Sequence, residues 1–258
     1  ITVLRKGKVV CQCNTSETDE KELAAKMVGR SVETVMTKKG QIRGDVVVEL
    51  KNVRLLKKAQ ETVSLTVHAG EILGIAGVDG NGQQELEALI IGNKRMKEGS
   101  LLINGTEARK MSVKERKKLG IGYIPSDRHK NAMIADFSIA ENFLLGYQDK
   151  PQYNSHGFIN YANLRKDAQE QADRFETKLA GLDQPIGQLS GGNQQKIILG
   201  RETSHDPSFM LVAQPVRGLD IGAIEKVHRT LLKLRQQGKG ILLISPELAD
   251  IMKLGDGI

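Results

Sequence analysis

The chain has 258 residues, enough for one large domain or two small ones, and its 39% of apolar residues can build a sizeable core. With 3% aromatics and no Trp, that core must come from Val, Ile, Leu and Ala, which suit buried parallel strands. The formal charge of +7 is scattered without interleaved aromatics, so nucleic acid is not an expected partner, and no run of about 18 apolar residues is present to span a bilayer.

Ile1 to Val10 reads as two short strands around a Lys-Gly turn. Cys11 and Cys13 are too few for a disulfide scaffold or a metal site, and they suit a reducing cytosol. Asn14 to Arg30 carries a helix signal, with Thr15 or Ser16 as cap and Leu23, Met27 and Val28 as an apolar stripe. Ser31 to Gly44 has no period and reads as a linker. A new domain is expected from Asp45, where Val46 to Leu50 and Val63 to Val67 suit an exposed antiparallel sheet joined through Lys51 to Gln60. Glu71 to Ala76 is a buried strand running into Gly77-Val78-Asp79-Gly80-Asn81-Gly82-Gln83-Gln84, and Glu85 to Ile91 continues as a helix. Strand, glycine-rich turn and helix in that order can cradle phosphate with backbone N–H groups, or simply pack a helix on a strand.

Ser100 to Ile103 and Gly120 to Ile124 are further strands, and the basic run Lys114 to Lys118 reads as a solvated helix face. Asn131 to Gln188 is predicted to be mostly helical, with turn signals at Tyr153 to Gly157. Ser190 then stands as N-cap of a helix that includes Ile197 to Thr203, and Gly191 and Gly192 would let an anion reach bare N–H groups at its positive end. Phe209 to Ala213 is an apolar strand, Ile224 to Gln237 an amphipathic helix and Gly240 to Ser245 the last buried strand. Alternating strands and helices predict a mainly parallel sheet. The five histidines are scattered and are expected at the surface or at caps rather than as metal ligands.

The octapeptide Leu189-Ser190-Gly191-Gly192-Asn193-Gln194-Gln195-Lys196 resembles the signature of ABC-type ATPases, in the form found in sugar and nucleoside importers. The resemblance runs from about Val46 to the C-terminus. It implies an α/β fold: a P-loop NTPase cassette of the ABC type, with a mainly parallel core sheet, an antiparallel β-subdomain and a helical subdomain inserted at about 131–199. Residues 45–258 would form the nucleotide-binding domain. In this family the last strand is followed by an Asp-Arg-Ile segment and a short hairpin. This chain ends at Asp256-Gly257-Ile258, while Ile1 to Val10 looks like that same hairpin. The resemblance thus implies two cassettes in tandem, with residues 1–44 as the tail of the first plus a linker.

The glycine loop has Walker A spacing between Gly77 and Gly82, but Gln83 and Gln84 replace the Lys and the Ser or Thr that would meet phosphate charge and Mg²⁺. Losing one charge-assisted contact of about 1.5–3 kcal/mol would weaken ATP binding roughly ten- to a hundredfold. At the Walker B place, Ala213 and Gln214 replace the metal-holding Asp and the catalytic Glu. Pro246 lies where a switch histidine is usual, Ser126 where a Gln or Glu would sense the metal, and no aromatic lies around Arg54 to Lys58 to stack on adenine. The own site (Gly77, Asp79, Gly80, Asn81, Gly82, Gln83, Gln84) is therefore expected to bind ATP weakly and to hold neither a catalytic residue nor a metal.

The signature residues Leu189, Ser190, Gly191, Gly192, Asn193 and Gln194 are intact, as is Gly218-Leu219-Asp220, which resembles the D-loop. The resemblance implies that they close over Mg-ATP held by the first cassette of the same polypeptide. Ala213-Gln214-Pro215 is most similar to the nucleoside branch, with sugar importers as the near alternative. Implied partners are transmembrane permease subunits, docking near Ser126 to Phe137, and indirectly an extracytoplasmic solute-binding protein. The implied location is the cytoplasmic face of the membrane, peripherally. A self-sufficient homodimeric ATPase, a regulatory nucleotide-binding module and a soluble ABC protein on DNA or the ribosome are the competing readings. Arg128 and Arg217 could contact phosphate or the partner, or form a structural ion pair.

Overall fold

The computed structural model describes residues 1–5, 7–29, 44–55, 61–78 and 80–258. The predicted linker at 31–43, part of the connection before Glu61, and Asp79 lie outside the described residues. The chain opens with an antiparallel hairpin, β1 (Thr2–Arg5) and β2 (Lys8–Gln12). The helix expected over 14–30 is shorter: a 3₁₀ turn covers Thr15–Glu17 and α1 spans Glu20–Val28. Neither Thr15 nor Ser16 is its cap. Asp19 accepts from the Glu22 N–H at 2.7 Å, because a carboxylate there also meets the helix dipole, and Gly29 ends the helix in the left-handed region.

β3 (Val46–Val53) and β4 (Val63–His68) pair antiparallel as predicted, with Val48 opposite Val67 and Leu50 opposite Leu65. β5 (Ile72–Ala76) then leads through the glycine loop into α2 (Gln83–Ile91), which begins two residues earlier than predicted. β6 (Ser100–Ile103) and β7 (Thr106–Glu107) complete a sheet of order β4-β3-β6-β7. This sheet is not simply exposed. Val48, Leu50, Val53 and Val67 are all 0% exposed and pack with Leu86, Leu89 and Ile90 of α2, so it forms a lid on the core.

α3 (Val113–Lys118) corrects the reading of its basic run as solvated. Arg116 is 1% exposed, and its guanidinium donates to the Leu89 and Ile90 carbonyls at the C-terminal end of α2. Those carbonyls have no helical partner of their own, so a buried cation there is satisfied by the end of the helix dipole. β8 (Ile121–Ile124), α4 (Arg128–Asn131) and α5 (Ile139–Leu144) follow. The 131–188 stretch is less helical than predicted. Its turn signals form a small hairpin, β9 (Asn154–Ser155) with β10 (Phe158–Ile159), before α6 (Tyr161–Arg174). Phe143, Tyr153, Leu164, Ala168 and Ile186 give this part a core of its own, closed by α7 (Gly191–Ser204).

The remaining elements are β11 (Phe209–Ala213), α8 (Ile221–Gln236), β12 (Gly240–Ser245) and α9 (Leu248–Leu254). β5, β12, β11 and β8 form an all-parallel sheet in that order, as the alternating pattern predicted. Every residue of β11 and β12 is buried. α2 and the antiparallel sheet cover one face, while Val227, Leu231, Ile251 and Leu254 of α8 and α9 cover the other. The last residues return to the edge strand, where the Asp256 carboxylate accepts from the Ile72 N–H at 2.9 Å and from Arg235 Nε at 2.7 Å.

Candidate functional site

The parallel sheet gathers the candidate site positions at one edge. Gly77 follows β5, Ser126 lies just past β8, Gln214 follows β11 and Pro246 follows β12, so all four lie beyond the carboxyl ends of parallel strands, where open α/β sheets bind ligands. Gln214, Arg217, Gly218, Pro246 and Glu247 border one cavity of about 470 Å³. Gln214 has φ +44, unusual for a residue with a Cβ, and its N–H donates to the Ile244 carbonyl at 2.8 Å. Its side-chain oxygen accepts from Arg217 Nη1 at 3.3 Å. It can orient a water but has no basic site to take the proton.

In the glycine loop, Gly80 and Gly82 have φ of +96 and +102, and a Cβ on Gly80 would meet nothing within 4 Å. The backbone therefore fits an incoming phosphate. Gln83 does not. Its Nε2 donates to the Val78 carbonyl at 3.0 Å and its Oε1 accepts from the Asn81 N–H at 3.1 Å. A Cβ on Gly77 would lie 2.7 Å from the same Nε2, so the carboxamide lies across the mouth of the turn. It uses up one N–H of the cradle and brings no charge. Gln84 is exposed and has no hydroxyl to offer a metal, and the Ala213 methyl is buried at 0% exposure. Among the described residues the loop fits a phosphate weakly, and neither Gln84 nor Ala213 offers Mg²⁺ a hydroxyl or carboxylate ligand.

Ser126 is not free to probe a metal. Its N–H and hydroxyl both donate to Glu87 Oε2 at 3.3 Å, and the Tyr123 hydroxyl donates to the same oxygen at 2.9 Å. Glu87, 4% exposed on α2, was missed in the sequence. The available signal was an acidic residue set inside the apolar stripe Leu86, Leu89, Ile90 and Ile91.

The signature forms a second constellation. Ser190 occupies the N-cap position of α7, but its side chain makes no capping hydrogen bond, contrary to the expectation, and the residue is exposed. The first N–H groups of α7 therefore have no partner from the cap side chain, and the exposed Ser190 stands beside half-buried Gly191 and Gly192. Asn193 Oδ1 accepts from the Lys178 N–H at 3.3 Å. Gln194 is 4% exposed and turned inward, donating to the Leu189 carbonyl at 3.1 Å, so it supports the site rather than facing a ligand. Leu189 is buried at 8% exposure. The D-loop residues stand against this end of α7: Asp220 caps α8 through the Ala223 N–H at 2.9 Å, and a Cβ on Gly192 would lie 3.6 Å from its other carboxylate oxygen. Arg128 joins the two pieces, donating to Gln194 Oε1 at 3.3 Å and to the Arg217 carbonyl at 3.1 Å.

A groove runs between the parallel core and the helical part, with a cavity of about 330 Å³ bordered by Ile91, Val113, Lys130, Met133, Ile134 and Leu145. Beneath it lies a network absent from the sequence reading. Glu202, 1% exposed, takes hydrogen bonds from the Tyr147 hydroxyl (2.8 Å) and Arg201 Nε (2.8 Å), with Lys117 Nζ at 3.5 Å. The histidines largely follow the expectation: His129 and His156 are exposed, His205 is the C-cap of α7 and stacks at 3.6 Å on the Tyr147 ring, and His68 Nδ1 lies 2.8 Å from Glu71. His228 departs from it, buried at 6% exposure with Nε2 3.3 Å from Asp250. Among the described residues no group of three or more His, Cys, Asp or Glu could hold a metal ion, and no helix is long and apolar enough to cross a membrane.

Comparison with known proteins gives this arrangement a lineage. The family described as ABC transporter matches residues 60–217. The guanosine import ATP-binding protein NupO of Bacillus subtilis is 40% identical over 262 residues, covering 100% of this chain and 51% of that protein. The nucleoside import ATP-binding protein NupA of Lactococcus lactis is 37% identical, covering 100% and 52%. A ribose import ATP-binding protein, RbsA of Corynebacterium glutamicum, is 33% identical, covering 100% and 48%. The chain thus spans about half the length of the curated relatives it matches. A dimeric bacterial ABC transporter cassette superposes with TM-score 0.67 at 23% identity over 82% of this chain and 96% of that one, which gives the same P-loop fold. On the family match and this shared architecture, the chain belongs to the ABC transporter family.

Proposed function

We propose that this chain is the second nucleotide-binding cassette of a tandem importer ATPase, and that it completes the ATP site of the first cassette rather than hydrolysing ATP in its own. One contrast carries the reading. Gln83 bridges its own glycine loop and no carboxylate stands at 213 or 214, while the signature end of α7 is open, with Ser190 exposed and uncapped. Helix N-terminal N–H groups and a hydroxyl suffice to receive a γ-phosphate whose other contacts come from elsewhere. The Mg²⁺ and the attacking water would be held by the first cassette. That the curated relatives run about twice as far as their match to this chain supports a tandem arrangement.

The transported solute is a nucleoside in this reading. The Ala213-Gln214-Pro215 replacement and the relatives named for guanosine and nucleoside import favour it over a sugar. Permease subunits would seat a segment in the groove beside Lys130 to Ile134, holding the cassette peripherally on the cytoplasmic face of the membrane, with a solute-binding protein acting on the far side. Titration calorimetry of this chain with Mg-ATP and with metal-free ATP, alongside phosphate release, tests the central claim. Weak binding that magnesium does not improve, without phosphate release, is expected. Sustained magnesium-dependent release above a Gly80→Val control would overturn it.

A further inference from the structure

The structure points to a positioning role for Arg128, and we infer that this residue sets the distance between the signature and the D-loop; the inference rests on the reading that the signature serves a partner-held ATP. Arg128 opens α4, two residues after Ser126, yet its contacts lie far away in the chain. Nε donates to Gln194 Oε1 at 3.3 Å, and Gln194 in turn donates to the Leu189 and Ile186 carbonyls at 3.1 and 3.4 Å, pinning the turn that leads into α7. Nη1 donates to the Arg217 carbonyl at 3.1 Å, immediately before the D-loop glycine. A Cβ on Gly191 would lie 2.7 Å from Nη2, so the guanidinium fills the space over the first signature glycine, and residue 191 has no room for a side chain while Arg128 stays where it is.

The electrostatics make this placement costly without a function. Burial, opposed by Asp127, and the charge of Arg217 pull the Arg128 pKa down, and the cation sits beside the positive end of α7. A cation so placed is tolerated because its planar fork spans two acceptors on different elements, which a lysine ammonium cannot do at the same reach. The chain of contacts continues through Arg217, whose side chain donates to Gln214 and whose N–H donates to the Gln214 carbonyl. Arg128 thereby couples the segment after Ser126, which borders the groove, to both surfaces that would face the partner's nucleotide.

The test uses the full-length tandem protein reconstituted with its permease in vesicles, reading ATPase kcat and KM for Mg-ATP together with the melting temperature. Arg128→Ala is expected to raise KM about ten- to a hundredfold, the loss of its charge-assisted hold on the Gln194 and Arg217 oxygens. Arg128→Lys is expected to fall with it, because charge alone does not fix the distance. Arg128→Ala combined with Gln194→Ala is expected to lose less than the sum of the two single changes, since the pair shares the Nε–Oε1 contact, and strict additivity would overturn the inference. An unchanged KM in Arg128→Ala, or full activity in Arg128→Lys, overturns the inference. Ser190→Arg, which blocks the signature directly, separates the two claims. If Ser190→Arg leaves ATPase intact, the reading of the signature fails. If it abolishes ATPase while Arg128→Ala is silent, only the role of Arg128 fails.

Discussion

Glu202→Gln tests what holds the helical part to the parallel core. The carboxylate sits on α7 and receives the Tyr147 hydroxyl from the helical part, the Tyr123 N–H at 3.2 Å from β8 and the charges of Arg201 and Lys117. Burial alone would raise its pKa, but Lys117, Arg201 and the Tyr147 hydroxyl outweigh it, so the group is held below 4.5 and charged. Glutamine keeps the shape and removes the charge. Lys117, partly buried with its ammonium 3.9 Å from the Tyr147 ring centroid, and the buried Arg201 are then left without their anion. Removing one partner of such a cluster costs about 3–5 kcal/mol, against the 0–1 kcal/mol of an exposed pair. Urea unfolding at pH 7 should show that loss as a lower midpoint with the slope unchanged. The folded pKa lies below the unfolded one, so the carboxylate's contribution is complete above about 4.5 and lost as pH falls through the folded value. The gap between wild type and variant should therefore stay constant from pH 7 to 5 and close only in stronger acid. Lys117→Met added to Glu202→Gln should recover part of the loss. A single variant within 1 kcal/mol of wild type, or a double variant no better than the single, would refute this account.

Two further outcomes follow from the same geometry. Gln83→Lys removes the carboxamide bridge to Val78 and Asn81 and supplies a cation, so calorimetry should show ATP bound roughly ten- to a hundredfold more tightly, still without turnover, because Ala213 and Gln214 hold neither metal nor proton. His205 is held neutral down to about 4, chiefly by burial and then by the charge of Lys150. Below 6.5 the unfolded chain therefore takes a proton that the folded chain refuses, and stability falls with pH. Discounted for its partial exposure, the loss between pH 7 and 5.5 is about 1 kcal/mol, and His205→Gln should abolish it in thermal melts at the two pH values.

The parallel sheet was legible because β11 and β12 are continuous apolar runs, which only full burial on both faces allows. The turn between β5 and α2 and the start of α7 at Gly191 were legible because glycine spacing is a local property. What escaped the sequence depends on long-range partners. Arg116 belongs to a run of five charged residues, and nothing in that run distinguishes it from Lys118 until the end of α2 arrives to receive it. The cap of α1 was misplaced by a few residues because Thr15, Ser16 and Asp19 are all good caps, and only the break in the backbone at Thr18 selects the last. Gln194 reads as part of the signature, but its neighbours in space turn its amide inward. The helical content of 131–188 was overestimated because polar, proline-poor stretches fit a helix as well as they fit the loops on either side of the β9–β10 hairpin.

The glycine loop and the N-terminal end of α7 are held by separate sets of contacts. The glycine loop is built from Gly77 to Gln84 beside the ends of β11 and β12, whereas the start of α7 stands against Gly218 to Asp220, with Arg128 hydrogen-bonded to Gln194 and to the Arg217 carbonyl. Gln83 can therefore close its loop without moving Ser190, since its two hydrogen bonds end within the turn. The path that does connect them runs through Arg217 and Gln214, and Gln214 accepts the Arg217 side chain at 3.3 Å as a carboxylate would, without carrying charge. Replacing the acid by its amide at that position removes the base while leaving the hydrogen bond beside the D-loop. In the proposed reading, that is the substitution expected of a cassette whose own chemistry is dispensable and whose D-loop must still hold its place.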